Sequence, residues 1–177
     1  MCVSGKPQKI FKVVVIGAAG VGKTSIIRRY CENSFLEGYK TTIGSDFYVK
    51  KLDLGEVLVN LSIWDLAGEE RFKFVLPTFC KGAQGALIVF DISRRRSYIN
   101  VTPYIELTWE HSGQIPSVII GNKSDLVESR AVSLDEAKDY SIQCGMPYYE
   151  TSAKDNVNVY KIFEELTQLM IKYTSTF

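Results

Sequence analysis

Apolar and polar residues follow two different periods along this chain. Residues 57–64 alternate between apolar and polar side chains, and the turn at 53–56 before them predicts a hairpin over 45–64. Other apolar runs are short and nearly continuous, which is typical of parallel strands covered by helices on both faces. These runs lie at residues 10–16, 85–91 and 117–121, with a shorter one at 147–150.

Helical patterns fall between the predicted strands. Ser133 and Glu136 form a predicted capping box that opens a helix, which Gly145 closes. Pro103 either begins a helix after a Thr102 cap or kinks a longer helix. The last helix has apolar residues at helical spacing, which predicts a face packed on the core: Val159, Ile162, Phe163, Leu166, Leu169 and Met170. The alternation predicts an α/β fold, an open six-stranded, mostly parallel sheet with one antiparallel edge strand and helices on both faces.

Composition narrows the class of protein. With 177 residues, 46% hydrophobic and 23% charged, the chain is expected to form one ordinary globular domain. A formal net charge of +1 argues against a protein that binds nucleic acid or acidic membranes, and the basic runs at 28–29 and 94–96 are expected to be solvated surface. Four scattered cysteines and one histidine argue against a zinc site and indicate a reducing, cytoplasmic setting. No apolar stretch is long enough to span a membrane.

The segment GAAGVGKT at residues 17–24 follows the first predicted strand and opens a helix. It fits the pattern G-x-x-x-x-G-K-[ST], in which glycines let backbone N–H groups and a helix N-terminus point at a polyphosphate. Lys23 would supply positive charge to the β and γ phosphates, and the Thr24 hydroxyl would bind Mg²⁺. Asp65, at the end of the hairpin strand, would hold the same ion through water.

A second motif, at residues 122–125 (NKSD), directly follows the buried strand at 117–121. The Asp125 carboxylate can accept hydrogen bonds from both N1 and N2 of guanine. Adenine presents an acceptor at N1 and has no N2 amine, so the same carboxylate would reject it. An Asx turn is the alternative for this motif. After the last strand, the backbone of residues 152–154 could donate to guanine O6, and the stem of Lys154 could cover the base.

Taken together, these motifs resemble the Ras superfamily of small GTPases. GAAGVGKT, WDLAGEE, NKSD and ETSAK occur in the order and spacing of that superfamily, over residues 9–173. Residues 1–8 would then be a flexible arm and residues 174–177 a short tail. IGSDF, LSIWD, RFKF, FCKGA and IVFDIS are each similar to segments of the Rab family. The resemblance implies a P-loop NTPase fold and a guanine-nucleotide-dependent molecular switch that binds Mg²⁺ and hydrolyses GTP slowly.

The resemblance also implies roles for individual residues. Phe35 would lie beside the guanine, Tyr39 would close over the phosphates, and Gly68 would donate its N–H to the γ phosphate. Thr42 would ligate Mg²⁺ when GTP is bound, with Thr24 and Asp65 completing the metal set. Residues 35–44 and 66–77 would be the two switch segments. The full predicted nucleotide site comprises Ala19, Gly20, Val21, Gly22, Lys23, Thr24, Ser25, Phe35, Tyr39, Thr42, Gly68, Asn122, Lys123, Asp125, Leu126, Ser152, Ala153 and Lys154.

Two further sets follow from the same resemblance. The predicted catalytic group comprises Lys23, Thr42, Gly68 and Glu69. The predicted effector surface comprises Ile43, Phe47, Trp64 and Phe79, whose aromatic members could instead simply pack in the core. Expected partners are GTP or GDP, an exchange factor, an activating protein and effectors, and the chain is expected to be a monomer. A P-loop nucleoside kinase is disfavoured, because residues 125–132 contain one arginine instead of an Arg-rich lid.

Glu69 departs from the family pattern, since most members have Gln there. In the family this Gln orients the attacking water by accepting and donating hydrogen bonds. A carboxylate accepts but cannot donate, and at about 4 Å from the γ phosphate it would cost on the order of 4 kcal/mol at an effective dielectric near 20. We therefore expect Glu69 to turn away in the GTP state unless a partner or a proton neutralises it. Hydrolysis would be slow, or the protein would be a hydrolysis-impaired scaffold that holds GTP.

Two other departures bear on the resemblance. Ala19 stands where Ras itself has glycine, and a small residue other than glycine is common there in Rab proteins. The chain has no cysteine after Cys144, so it offers no site for a C-terminal prenyl group. Either the chain is truncated, or the protein does not use a C-terminal lipid. We expect no intrinsic membrane anchor in this chain, and any association with membranes would be peripheral, through partners or a tail that it lacks.

Overall fold

The computed structural model describes residues 6–36, residue 42 and residues 45–175. Within this part, strands and helices alternate as the apolar pattern predicts. Short 3₁₀ turns occur at Glu70–Val75 and Val127–Ser129. The strands and helices are β1 (Gln8–Ile16), α1 (Lys23–Glu32), β2 (Ser45–Asp53), β3 (Leu58–Leu66), α2 (Leu76–Cys80), β4 (Gly85–Asp91), α3 (Arg95–Ile99), α4 (Val101–Ser112), β5 (Ser117–Asn122), α5 (Leu134–Gln143), β6 (Tyr148–Thr151) and α6 (Val159–Thr174).

The six strands form one sheet in the order β2-β3-β1-β4-β5-β6. β2 pairs with β3 in antiparallel register, and the other neighbours are parallel. The predicted α/β fold, with its mostly parallel sheet and one antiparallel edge strand, is therefore confirmed. The hairpin turn lies between Asp53 and Leu58, as the alternating pattern indicates.

Each central strand contributes to two hydrophobic cores, because successive side chains of a strand point to opposite faces of the sheet. On one face Val13 and Val15 pack with residues of α1 and α6. On the other face Val14 and Ile16 pack with residues of α2, α4 and α5. All four side chains are buried. This two-sided burial explains why the runs are continuously apolar instead of alternating.

The structure confirms the predicted start of α5 but gives Pro103 a different position from the predicted first helical residue. The Ser133 hydroxyl accepts a hydrogen bond from the Glu136 N–H at 3.2 Å, which confirms the cap of α5. Gly145 follows that helix with a positive φ of 65°. Pro103 is the third residue of α4, whose N-cap is Asn100. A missing N–H is tolerated in a first turn, where backbone donors have no intrahelical partner. Pro103 therefore does not begin the helix after a Thr102 cap. The helical stretch is instead interrupted at Asn100, whose backbone stays helical (φ −77°, ψ −3°), next to the residue 99 carbonyl that a proline at 103 cannot bond, which agrees with the second role, a kink in a longer helix.

The last helix presents the predicted face to the core. Val159, Ile162, Phe163, Leu166 and Met170 are buried, and Leu169 packs against the same core. The Phe163 ring is stacked on the Tyr30 ring of α1, with centroids 3.9 Å apart. α6 therefore holds α1 against the sheet, together with the loop at residues 17–22 that is predicted to bind phosphate, here called the phosphate loop.

We predict that Phe163→Ala lowers the free energy of unfolding by about 3–5 kcal/mol, because it removes a buried ring and leaves a cavity. Urea unfolding followed by circular dichroism measures the change. Glu164→Ala, at an exposed neighbour on the same helix, should stay within about 0.5 kcal/mol of the wild type. Equal effects of the two substitutions would contradict this packing.

Candidate nucleotide-binding site

A cavity of about 520 Å³ opens at the carboxyl edge of the sheet. This is the edge at which open α/β sheets bind their ligands, and the volume lies in the usual range of ligand pockets. The predicted nucleotide-binding residues line it, with three exceptions. Val21 and Ser152 are fully buried and do not line the cavity. Tyr39 lies outside the described residues.

The phosphate loop is shaped by glycine backbones. Gly20 and Gly22 have φ values of 70° and 96°, which other residues rarely adopt. A Cβ on Gly22 would also lie only 2.2 Å from the Asn122 side-chain nitrogen. α1 begins at Lys23, directly after this loop. The positive end of its dipole therefore faces the cavity, where a phosphate would be stabilised.

Lys23 is a buried cation at the floor of this loop. Its ammonium donates to the Gly17 carbonyl at 2.8 Å and to the Ala18 carbonyl at 2.9 Å. Burial lowers the pKa of Lys23 to about 8, although the nearby Asp65 carboxylate opposes that shift. An anion beside the ammonium would favour the charged form. The site is therefore electrostatically matched to a phosphate.

Three oxygen-bearing side chains meet beside the loop. The Thr24 hydroxyl donates to Asp65 Oδ2 at 2.5 Å and lies 2.8 Å from the Thr42 hydroxyl. Asp65 is fully buried, and its Oδ1 has no hydrogen-bond partner in the described part of the chain. Burial raises the pKa of Asp65, and the hydrogen bond from Thr24 opposes this shift. An orphaned buried carboxylate oxygen with two hydroxyls fits a hard cation such as Mg²⁺, whose remaining ligands are usually phosphates and water.

The part of the cavity that is predicted to bind the base is held by hydrogen bonds between loops. Asp125 lines the cavity, and its Oδ1 accepts from the Ser152 hydroxyl at 2.6 Å. Asn122 donates to the Val21 carbonyl at 2.8 Å and accepts from the Thr151 hydroxyl at 3.0 Å. Asn122 therefore braces the phosphate loop, with its side chain buried behind the cavity wall. This role is structural support, in addition to its place on the cavity lining.

The predicted effector aromatics form one cluster. The Phe47 and Trp64 ring centroids are 5.1 Å apart with an interplanar angle of 62°, and the Trp64 centroid lies 5.6 Å from that of Phe79. Phe47 is 48% exposed, whereas Trp64 and Phe79 also pack against the core. The cluster thus combines surface exposure with packing. Ile43, the fourth predicted member, lies outside the described residues.

Glu69 lines the cavity, and its carboxylate forms an ion pair with Arg71, two residues further along the chain. Its carboxylate accepts from the Arg71 guanidinium at 2.6 Å. The side chain of Glu69 is 26% exposed and that of Arg71 is 64% exposed. The pair offsets the negative charge that the sequence places next to the expected γ phosphate. Gly68, just before it, lies so close to Ala18 that a Cβ would be 2.4 Å from that backbone.

The expectation that both basic runs are solvated surface is wrong for Arg28 and Arg29, which are partly buried, whereas Arg94 is exposed and still contacts the phosphate loop. Arg28 lines the cavity and donates to the Tyr48 hydroxyl at 3.4 Å. Arg29 donates to the Ala153 carbonyl at 2.9 Å. Arg94 donates to the Ala19 carbonyl at 2.8 Å.

Their positions carry a signal that sequence reasoning can use. Arg28 and Arg29 lie in the second turn of the helix that follows the phosphate loop, and Arg94 lies three residues after the end of β4. Charged residues at the carboxyl edge of a parallel sheet are close to one another even when they are distant in sequence. Charge runs at that edge should therefore be assigned to the site before they are assigned to solvent.

Comparison with protein families matches residues 12–172 to the Ras family. The chain belongs to the Ras family. It is similar to Ras-related protein Rab-21 of Bos taurus, at 42% identity over 163 residues, covering 92% of this chain and 73% of that protein. It is 38% identical over 174 residues to Ras-related protein Rab-3 of Caenorhabditis elegans, with 94% and 78% covered. Ras-related protein Rab-1 of Theileria parva is 38% identical over 167 residues, with 91% and 74% covered.

Membership of the Ras family makes this chain a small GTPase, which binds guanine nucleotide and hydrolyses GTP to GDP and phosphate at a slow intrinsic rate. The resemblance read from the motifs is therefore confirmed. Among the described residues, no helix has the length and apolar character needed to cross a membrane.

Proposed function

We propose that this small GTPase is a Rab-like molecular switch that binds GTP or GDP together with Mg²⁺. The observation that carries the proposal is the composition of a single cavity. Lys23, Thr24 and Asp125 all line it, and the buried Asp65 lies directly behind Thr24. A guanine nucleotide is a ligand that needs all of these groups at once.

The residues have distinct tasks in this proposal. The loop at 17–22 and Lys23 bind the phosphates, and Asp125 accepts from the guanine. Thr24, Thr42 and Asp65 would hold Mg²⁺, which would supply positive charge to the phosphates. Thr42 belongs to the first switch segment, and its hydroxyl already lies 2.8 Å from that of Thr24. This closeness supports a link between metal binding and the order of the segment.

The switching role rests on the segments at 35–44 and 66–77. The Gly68 backbone lies against Ala18 of the phosphate loop, which supports a direct contact of its N–H with the γ phosphate. The exposed Phe47 edge of the aromatic cluster supports effector binding beside these segments. Loss of the γ phosphate would release both segments and change that surface.

The remaining parts of the proposal concern the setting of the switch. One GTPase domain spans 9–173, with an arm and a tail predicted at 1–8 and 174–177. Gln8 and Thr174 at their inner ends belong to β1 and α6, so the domain includes these two residues as well. The chain works as a monomer in the cytoplasm and meets membranes peripherally through partners. An exchange factor, an activating protein and effectors act on it. Similarity to Rab proteins supports a role in vesicle trafficking.

Asp125→Asn tests the base assignment. Asparagine can accept from N1–H and donate to the C2 carbonyl of xanthine, but its amide meets the guanine N2 amine as donor against donor. We expect the variant to lose GDP affinity by at least about a hundredfold and to prefer XDP, as measured by competition against a fluorescent nucleotide. Asp155→Asn, at an exposed position in the neighbouring turn, should keep the preference for GDP. Unchanged GDP affinity in Asp125→Asn would overturn the assignment.

Glu69 shapes the hydrolysis step of the proposal. Its ion pair with Arg71 supports a carboxylate that is turned from the γ phosphate and poorly placed to orient water. Intrinsic GTP hydrolysis would then be slow, in the lower part of the range of about 10⁻⁴ to 10⁻² s⁻¹ for this class. The second candidate function is a hydrolysis-impaired scaffold that holds GTP, and the same ion pair favours it. GTP retained in the purified protein would support the scaffold, and GDP would support the switch.

We predict that Glu69→Gln raises the single-turnover rate of GTP hydrolysis by about tenfold, which corresponds to roughly 1.4 kcal/mol of the barrier. The amide can both accept from the attacking water and donate toward the phosphate. Rapid-quench assays with preloaded GTP measure the rate, with and without an activating protein. Glu106→Gln, at an exposed site on α4, serves as control. Identical rates for wild type and Glu69→Gln under both conditions would refute this account of Glu69.

A further inference from the structure

A buried carboxylate joins the two halves of the site from behind. Asp91 ends β4, and its side chain is only 1% exposed. Its Oδ1 accepts from the backbone N–H and the hydroxyl of Ser93, at 2.9 and 2.6 Å. Its Oδ2 lies 2.7 Å from the Lys123 ammonium and accepts from Arg94 Nε at 3.1 Å. Four donors thus fix this carboxylate in one position.

The charge state of Asp91 agrees with that geometry. Burial alone would raise the pKa of Asp91, but hydrogen bonds from Lys123 and Ser93 outweigh it and hold the pKa below its ordinary value. The carboxylate is therefore ionised at neutral pH. An ionised, immobile partner gives the Arg94 guanidinium a firm support, because charge-assisted hydrogen bonds are roughly twice as strong as neutral ones.

Arg94 uses this support to reach the phosphate loop. While Nε is held by Asp91, Nη2 donates to the Ala19 carbonyl at 2.8 Å. The planar fork of arginine makes both contacts at once, which the single ammonium of lysine does less well. Arg94 is half-exposed, with a side-chain exposure of 45%. Its substitution should therefore disturb this contact more than the core.

The Ala19 carbonyl belongs to the same peptide group as the Gly20 N–H. A trans peptide is planar, so its C=O and N–H point in opposite directions. Holding the carbonyl on one side directs the Gly20 N–H to the other side. Gly20 has a φ of 70° and its freedom of rotation makes such a restraint necessary. Asn122 acts in the same way on the next peptide but one, through the Val21 carbonyl.

We propose that Arg94 is a positioning residue for phosphate binding, which acts through the Ala19–Gly20 peptide and is itself held by Asp91. The inference rests on the proposed binding of guanine nucleotide. It assigns a role to an arginine of the run 94–96 that touches the loop from outside the cavity. Without Arg94, the Ala19–Gly20 peptide could rotate, and the Gly20 N–H would no longer be held toward the phosphates of the nucleotide.

The test combines a rate and a spectroscopic signature in the full chain. Release of fluorescently labelled GDP is measured in excess Mg²⁺ and unlabelled GDP, for wild type, Arg94→Ala and Arg94→Lys. We expect release about tenfold faster in Arg94→Ala and an intermediate rate in Arg94→Lys. In ³¹P NMR spectra of bound GDP, the β-phosphate resonance should move in Arg94→Ala. General loosening of the fold would not move this resonance selectively.

Arg96→Ala is the matched control, since it removes the same charge from an exposed neighbour and should change neither readout. If Arg94→Ala releases GDP at the wild-type rate with an unmoved β-phosphate resonance, the inference is overturned. If faster release occurs without any movement of that resonance, positioning of the Gly20 N–H is also overturned. Failure of the wild type itself to retain GDP would instead remove the proposed function, so the two failures are distinguishable.

Discussion

The phosphate loop can bind anions only while its carbonyl groups are held away from the cavity. Backbone N–H and C=O groups alternate along any chain, so a loop that presents donors inward must satisfy its acceptors elsewhere. Here three side chains donate hydrogen bonds to those carbonyls. Asn122 donates to Val21, and Arg94 donates to Ala19. Lys23 donates to Gly17 and Ala18. The nucleotide site thus depends on side chains that hold the loop carbonyls as much as on the groups that face the cavity.

The sheet makes these supports possible. Asn122 ends β5 and Asp91 ends β4, and the two residues are partners in the parallel register of these strands. Their side chains therefore leave the sheet at the same edge as the loop after β1. Two hydrophobic cores keep the three strands and helices α1 and α6 in place. Packing far from the cavity thus fixes the strand ends from which these side chains reach the carbonyls of the phosphate loop.

Sequence reasoning predicts the fold and the cavity lining because both depend on local patterns. The continuous run at 85–91 indicates a buried strand, and GAAGVGKT carries its geometry in its glycines. It misses the contacts of Arg28, Arg29 and Arg94, because a charge run that is read without the strand order does not show which residues lie opposite it. It also cannot show that Asn122 braces the phosphate loop, since that contact spans 101 residues of sequence. Such long-range contacts become visible only once the strand order is known.

The charged groups of the site favour different parts of the ligand, and one of them opposes the expected γ phosphate. The buried Lys23, with its pKa lowered to about 8, and the α1 N-terminus both favour an anion. Asp65 carries a buried oxygen that has no hydrogen-bond partner among the residues the structure describes, and this oxygen favours a cation. Glu69 adds a negative charge beside the expected γ phosphate, and Arg71 takes up that charge. A change at Glu69 is therefore expected to alter hydrolysis while leaving Lys23 and Asp65, the groups that favour the phosphates and the cation, intact.

The central claim is that this cavity holds a guanine nucleotide together with Mg²⁺. Chromatography of the nucleotide released from the purified protein by denaturation, with its exchange rate measured before and after chelation of Mg²⁺, tests it most directly. The account predicts close to one guanine nucleotide per chain and exchange that becomes at least about tenfold faster on chelation. An adenine nucleotide, no nucleotide after incubation with GDP and Mg²⁺, or exchange insensitive to chelation would contradict it.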